Sequence, residues 1–499
     1  MDRSEVADSR LLRRCLAAAA GFTLLHVLAL PLVVPYDGHE YIDFAGVLFS
    51  DRFPDDWQPP IRTPGYPLVL KVAFAVVGRQ PLAIVGVNAA FAWLMLLAVT
   101  RVTRLLAGPV AAAVALLTVA VFPLSVAYQH HALTESGAAA WLTLVAAVLV
   151  MTDRSDRDGW WKAGLLAGVL AAGYYHRQSL QFVVPAAAIL FAVGACCPPG
   201  TAWRDGLRRP ARPGWLVALQ AAAIFIVPLA TSMLWEPYAP SRNIRSYMLK
   251  QGIVRQALIP PGAPLLGAAT DAYAHAIDEA WQDDGLVSGL RAGQIGELAT
   301  SLYPRLDPPG ATFGRLAAEH PDRYAAGVGR TLLLFAGFPA AQSTNGSSEH
   351  AAFGPALDVG HNRIDDGLAR LTERTRASFT QPTGPGLLSA TLWRLAPLFD
   401  RWLVPAGCLA LVGVGITGLF RRDVRLIVVA VIPLAYLLGH AAMLASEDRY
   451  AFPAQPLALA ALAAATVHGF ARAGTMIGRH RGQEDRGPEA EPTPSREAR

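Results

Sequence analysis

The sequence predicts an all-α polytopic membrane protein of about ten spanning helices, with one large loop between the seventh and the eighth. Three observations carry that expectation. Hydrophobic residues make up 53% of the 499, and charged residues only 16%, a balance that suits lipid better than water as the solvent. Apolar runs approaching the roughly 20 residues needed to cross a bilayer recur along the chain. Lys and Arg fall in alternate connections between those runs, as the positive-inside rule requires.

The runs fall at 15–34, 82–99, 110–127, 137–151, 161–174, 180–197, 215–235, 402–420, 426–445 and 452–470. The first follows Arg3, Arg10, Arg13 and Arg14; it opens a series and is too long for a cleaved signal peptide. Arg101 and Arg104 follow the second run, Arg154, Arg157 and Lys162 the fourth, and Arg204, Arg208, Arg209 and Arg212 the sixth. Arg421, Arg422 and Arg425 lie between the eighth and ninth, and Arg472 follows the tenth. These clusters share one side only if the number of spans is even and both termini are cytoplasmic. The net charge of +5 is therefore an expression of topology, not a nucleic-acid signature.

This divides the chain into an N-terminal transmembrane module (1–235) containing a first outer loop at 36–80, a large extracytoplasmic loop (236–394), a C-terminal transmembrane module (395–471) and a tail (472–499). The tail has little apolar surface to bury and is expected to be disordered in the cytoplasm. Cys15, Cys196, Cys197 and Cys408 all fall in or beside spans, so no disulfide framework or zinc spacing can be drawn from them. Usage rich in Ala, Gly and Arg suggests a bacterial plasma membrane.

The middles of the spans are nearly free of charge, and no repeat relates the two halves, unlike a coupled transporter with ionisable groups at the midplane. His26, Asn88 and His440 are the polar exceptions, read as helix–helix hydrogen bonds. Charge gathers at the outer ends instead. The first outer loop carries Asp37, Glu40 and Tyr41, then Arg62-Thr63-Pro64-Gly65-Tyr66-Pro67. The next turn carries His130, His131 and Glu135, the one after it His176 and Arg177, and the last Glu447, Asp448, Arg449 and Tyr450. Four loops thus bring carboxylates, imidazoles and guanidinium groups to one depth, a combination suited to an anionic lipid headgroup. Within the first loop two interfacial helices are expected, joined by a proline-bearing turn. Asp37, Glu40 and Tyr41 share a face of the first, and Ile42, Ala45, Val47, Leu48 and Phe49 would lie on the membrane surface.

Asp37 beyond the first span, Tyr41 and Ala45, and the Arg62-Thr-Pro-Gly-Tyr-Pro turn resemble the first loop of GT-C glycosyltransferases. Those enzymes use polyprenyl-phosphate sugars and include protein O-mannosyltransferases and lipid A aminoarabinose transferases. Leu133-Thr134-Glu135, Arg177, Arg449-Tyr450 before Pro453 and Pro456, and His320-Pro321-Asp322-Arg323-Tyr324 are also similar to features of that family. The resemblance covers about 12–209 and the last three spans, while the large outer loop agrees only in character. It implies a GT-C-like bundle and an inverting transfer from a polyprenyl-phosphate donor to an extracytoplasmic glycan, lipid or protein. Asp37 would be the catalytic base and Arg62 the phosphate contact. Arg177 and Arg449 would be further headgroup contacts, with Glu40, Tyr41, Tyr66, His131, Glu135 and Tyr450 lining the substrate. Where family members often carry a second acidic residue directly after the base, this chain has Gly38. Arginines can supply the charge compensation that nucleotide-sugar enzymes obtain from a divalent ion, so no cofactor and no obligatory metal are expected. The competing readings are a lipid or glycan flippase, and an inactive relative that scaffolds envelope assembly. The partners expected are the bilayer, the lipid-linked donor and its acceptor, and no nucleic acid; sequence leaves the oligomeric state open.

Overall fold

The computed structural model describes residues 3–30, 32–34, 36–50, 63–151, 158–196, 213–235, 309–336, 387–443 and 450–484, with isolated positions at 249, 253 and 258. Arg62, Arg449 and most of 236–394 lie outside the described residues. Of Asp37 the backbone is described and the side chain is not.

The described residues are helical, with a single β-bridge between Val33 and His131. In chain order the helices are α1 (Arg3–Ala29), α2 (Tyr36–Val47), α3 (Gly65–Val77), α4 (Pro81–Ala120), α5 (Pro123–Gln129), α6 (Glu135–Val150) and α7 (Asp158–His176). A 3₁₀ turn at Gln178–Val183 leads into α8 (Val184–Cys196), followed by α9 (Gly214–Trp235), α10 (Pro309–Glu319) and α11 (Pro321–Phe335). The C-terminal part comprises α12 (Leu387–Leu398), α13 (Val404–Arg421), α14 (Val424–Ala442) and α15 (Gln455–Glu484). Helix occupies each of the ten predicted apolar runs, and six helical segments are by themselves long and apolar enough to cross a bilayer. The protein is a multi-pass membrane protein.

Helix α4 illustrates how the chain turns. Forty residues of straight helix would run roughly 60 Å, twice the hydrocarbon thickness of a bilayer. Its helical geometry breaks at Gly108, where φ is 84°, a left-handed value that only glycine adopts without penalty, and Pro109 starts the next helix. Asn88, in the first half, donates to the carbonyl of His131, which lies beyond the second half, at 2.6 Å. Both ends of α4 are therefore at the same end of the bundle, and α4 is two antiparallel spans, the predicted second and third. Arg101 and Arg104 are exposed near the bend.

Around α4 pack α1, α6 and α15, and α7 packs on α9. The packed faces are rich in alanine: Ala112, Ala115, Ala139, Ala140 and Ala146 are all fully buried. Lipid tails are as apolar as leucine, so close backbone approach through small residues holds such helices together better than bulk does. The hydroxyl of Tyr175 also donates to the carbonyl of Thr231, tying α7 to α9.

Two expectations need correction. The apolar face of α2 does not lie on the membrane surface: Ile42, Ala45 and Leu48 are buried, and only Phe49 of that set is exposed. The reason is that α3 supplies a protein partner for that face. Tyr41 packs edge-on against Tyr66, and the Lys71 ammonium of α3 donates to the carbonyl of Leu48 just past the end of α2. At the other end of the chain, α15 continues to Glu484, into the segment expected to be disordered. A helix already nucleated in the membrane gains one hydrogen bond for each residue added, and Ala, Arg, Met and Gln sustain it.

The bend at Arg101 and Arg104 and the exposed Arg421 and Arg422 are at the end away from His131, Glu135 and Tyr450. A cysteine placed within 236–394 should therefore react with an impermeant thiol reagent on intact spheroplasts, whereas one beside Arg208 should not. Equal labelling at both positions, with the membrane intact, would remove the orientation.

Candidate active site

The end of the bundle that carries His131, Glu135 and Tyr450 is assembled by ties between loops distant in sequence. The bridge at Val33 fixes the start of the first loop: Val33 donates its N–H to His130 and accepts from Ala132. Beneath it, His26 Nδ1 and His130 Nε2 lie 3.0 Å apart, one donating to the other. Tyr66, fully buried, donates its hydroxyl to Asn88 Oδ1 at 3.1 Å, and Asn88 passes the chain of bonds on to the carbonyl of His131. The ring of Tyr66 also packs edge-on against His176. Gly65 permits this approach, because a Cβ there would lie 2.6 Å from the Tyr175 backbone.

At the centre is a buried ion pair. Arg177 Nη1 lies 2.8 Å from Glu135 Oε1 and donates to the Thr134 hydroxyl at 3.1 Å. The two side chains are 12% and 2% exposed, so water screens the pair little. Glu135 begins α6, where a carboxylate also meets the positive end of the helix dipole. The Arg177 guanidinium lies over the ring of Tyr450, 5.2 Å from its centroid, and Tyr450 stacks on His440. Ser179 and Tyr436 hydroxyls, 3.3 Å apart, close the far side. Burial opposes the charge of Arg177, but the adjacent carboxylate of Glu135, with Tyr436 and Tyr450, raises its pKa above the ordinary guanidinium value. His131 is moved the other way, held down at about 4 by burial, and is neutral near pH 7.

Several polar atoms here lack partners among the described residues. They include Glu135 Oε2, Ser136 Oγ, His131 Nδ1 and Gln455 Oε1. Buried polar groups are rarely left so. The centre therefore has hydrogen-bonding capacity that water or a substrate group can take up.

A cavity of about 460 Å³ runs beside this centre, between α3, α4, α6, α7 and α9. His176, the neighbour of Arg177, lines it, along with apolar residues such as Leu68, Phe91, Trp141 and Leu234. The arrangement is an Arg177–Glu135 pair with an apolar cavity alongside.

Residues 59–236 match the family model for dolichyl-phosphate-mannose-protein mannosyltransferase. That segment includes Glu135, Arg177 and all the residues lining the apolar cavity except Leu48 and Phe49. The chain resembles the GT-C glycosyltransferases. Among solved structures it is similar to the Archaeoglobus fulgidus oligosaccharyltransferase in the apo form, at 12% identity and TM-score 0.45, over 93% of this chain and 52% of that one. It is similar also to the same archaeon's oligosaccharyltransferase AglB, solved with an inhibitory peptide and a dolichol-phosphate, at 13% identity and TM-score 0.43, over 97% and 52%. A third likeness is to ArnT from Cupriavidus metallidurans, bound to undecaprenyl phosphate, at 14% identity and TM-score 0.37, over 87% and 76%. The chain spans about half the length of the archaeal structures it matches. No curated protein matches it by sequence.

Of the site residues expected of such an enzyme, the structure brings Tyr41, Tyr66, His131, Glu135, Arg177 and Tyr450 to one end of the bundle. Arg177 and Glu135 were expected to face substrate separately, and here they are joined to each other. Glu40 is half-buried on α2, and Asp37 lies in the first turn of that helix. Arg62 ends the undescribed stretch immediately before Thr63. Asp43 reaches Arg79 at 3.5 Å on the surface, a pair worth little. Thr134, named in the sequence within Leu133-Thr134-Glu135, accepts from Arg177, while Ser179 and Tyr436 are contributors that the sequence did not mark. A tyrosine within an apolar run looks like any core aromatic.

Proposed function

We propose that this protein is an inverting glycosyltransferase of a bacterial plasma membrane. It would move a sugar from a polyprenyl-phosphate donor to an acceptor hydroxyl on the extracytoplasmic side, with both termini in the cytoplasm. The observation that supports this reading is the buried Arg177–Glu135 pair placed beside the apolar cavity, in the segment that matches the mannosyltransferase family. The polyprenyl chain occupies the cavity, and the phosphate lies among Arg177, Arg62 and Arg449. Glu135 and Thr134 hold the Arg177 guanidinium through Nη1, and its other N–H groups are the ones that would turn to the phosphate.

A sugar linked to a lipid phosphate already carries a good leaving group. The Asp37 carboxylate takes the proton of the acceptor hydroxyl as that oxygen forms its bond to the anomeric carbon. The bond to the phosphate breaks on the opposite face, and its electron pair stays with the phosphate oxygen, where fixed cations stabilise the charge. Configuration inverts, and polyprenyl phosphate is released. No metal takes part in this scheme.

The test is a purified-protein assay with a polyprenyl-phosphate sugar in vesicles. Sugar transfer should release polyprenyl phosphate and should survive a chelator. Donor that crosses the bilayer unconsumed would mean a flippase instead, and loss of transfer on chelation would restore a metal. Arg62→Ala should weaken donor binding about 10- to 150-fold, since a charge-assisted hydrogen bond is worth about 1.5–3 kcal/mol. Arg62→Lys should recover only part, because the two-pronged contact is lost. Unchanged affinity in Arg62→Ala would move the phosphate to Arg177 or Arg449.

A further inference from the structure

The end of the bundle away from the candidate site holds a second cavity, about 470 Å³, enclosed by α4, α13, α14 and α15. Small residues make the room. Gly413, Ala461 and Ala464 line the wall with Val429, and a Cβ on Gly413 would meet nothing within 4 Å. From Gly413 to Arg421 the wall runs roughly 12 Å at 1.5 Å per residue, most of the hydrocarbon depth of one leaflet. Such a gap between spanning helices forfeits dispersion contacts unless something fills it.

Its mouth is polar and positive. Arg421, in the last turn of α13, and His468 of α15 line it, with the Thr417 hydroxyl between them and the wall. Arg422 follows at once, and Arg425 is the second residue of α14. The acid among these groups, Asp423, is engaged as the N-cap of α14, where its Oδ1 accepts the N–H of Arg425 at 3.0 Å. Asp423 lines the mouth as well and keeps its charge, but three arginines, Arg421, Arg422 and Arg425, stand against that one carboxylate, so the balance of charge at this end of the bundle is cationic.

We propose that this cavity binds one anionic phospholipid, its acyl chain against the small-residue wall and its phosphate at Arg421 and His468. Basic pockets between helices at a membrane surface suit anionic headgroups, whereas a zwitterionic lipid would also bring an ammonium group to the same arginines. None of this depends on the glycosyltransferase reading, and the site would be occupied whatever reaction the outer end performs.

The full-length chain, purified in mild detergent and delipidated, would be titrated with phosphatidylglycerol or with phosphatidylcholine of the same acyl chains and followed by native mass spectrometry. One phosphatidylglycerol should be retained, with at least a tenfold preference over phosphatidylcholine. Arg421→Gln should abolish the preference. Gly413→Leu should expel both lipids by filling the wall, and its thermal midpoint should not fall, since leucine is the better helix former. Equal retention of the two lipids by the wild-type protein would overturn the proposal. So would a Gly413→Leu variant that keeps its phosphatidylglycerol, because the attraction would then belong to the exposed arginines alone.

Discussion

Asp37→Asn should lower sugar transfer by roughly 10²- to 10⁴-fold, the usual worth of a positioned general base. Donor binding and folding should stay near those of the wild-type protein. Asp37 is the second residue of α2, where a carboxylate also interacts with the helix dipole. A purely structural role would thus cost asparagine about 0.3–1 kcal/mol of stability and almost nothing in rate. The two roles differ by orders of magnitude in turnover with purified donor. Wild-type turnover in Asp37→Asn would refute the base assignment and leave the glycosyltransferase reading resting on the cavity, the ion pair and the family match.

The second large effect is on stability. Arg177→Met keeps an unbranched apolar stem but removes the cation from a carboxylate that is 2% exposed. Breaking a buried pair by removing one partner typically costs about 3–5 kcal/mol, because the remaining charge has lost both water and partner. The loss would be read as a lower midpoint of unfolding in detergent. Adding Glu135→Gln to Arg177→Met should restore most of the midpoint, since no unpaired charge is then left behind. An Arg177→Met midpoint equal to that of the wild-type protein would show that solvent reaches Glu135 and that the pair is not a structural anchor. Activity should be lost in both variants if Arg177 contacts the phosphate.

How much of this was readable in the sequence differs by level. The spans were legible because lipid imposes a length, and basic residues mark one side of it. Arg101 and Arg104 separate the second run from the third, and the structure breaks the helix close by, at Gly108. Arg177 and Glu135 were legible as outer charges at a common depth. Their pairing was not, because it depends on how α6 and α7 pack and not on any spacing along the chain. The apolar face of α2 was visible, but periodicity says only that a face is apolar, not whether lipid or α3 covers it. Asn88 stood out as an amide in an apolar run, and its partners, Tyr66 and the His131 carbonyl, emerged only with the fold.

The central ion pair also has a consequence for how the protein is made. Arg177 follows Thr134 by 43 residues, and the whole of α6 and α7 is made between the two sides of the pair. At roughly 5–20 residues per second of synthesis, Glu135 leaves the ribosome about 2–8 seconds before its cation does. During that interval the nascent chain carries a carboxylate whose final position is almost dry. The start of α6 is therefore expected to stay in contact with water or headgroups until α7 has been threaded and Arg177 arrives. The outer end of the bundle can close only then, so the α6–α7 hairpin is a checkpoint in assembly as well as a wall of the cavity.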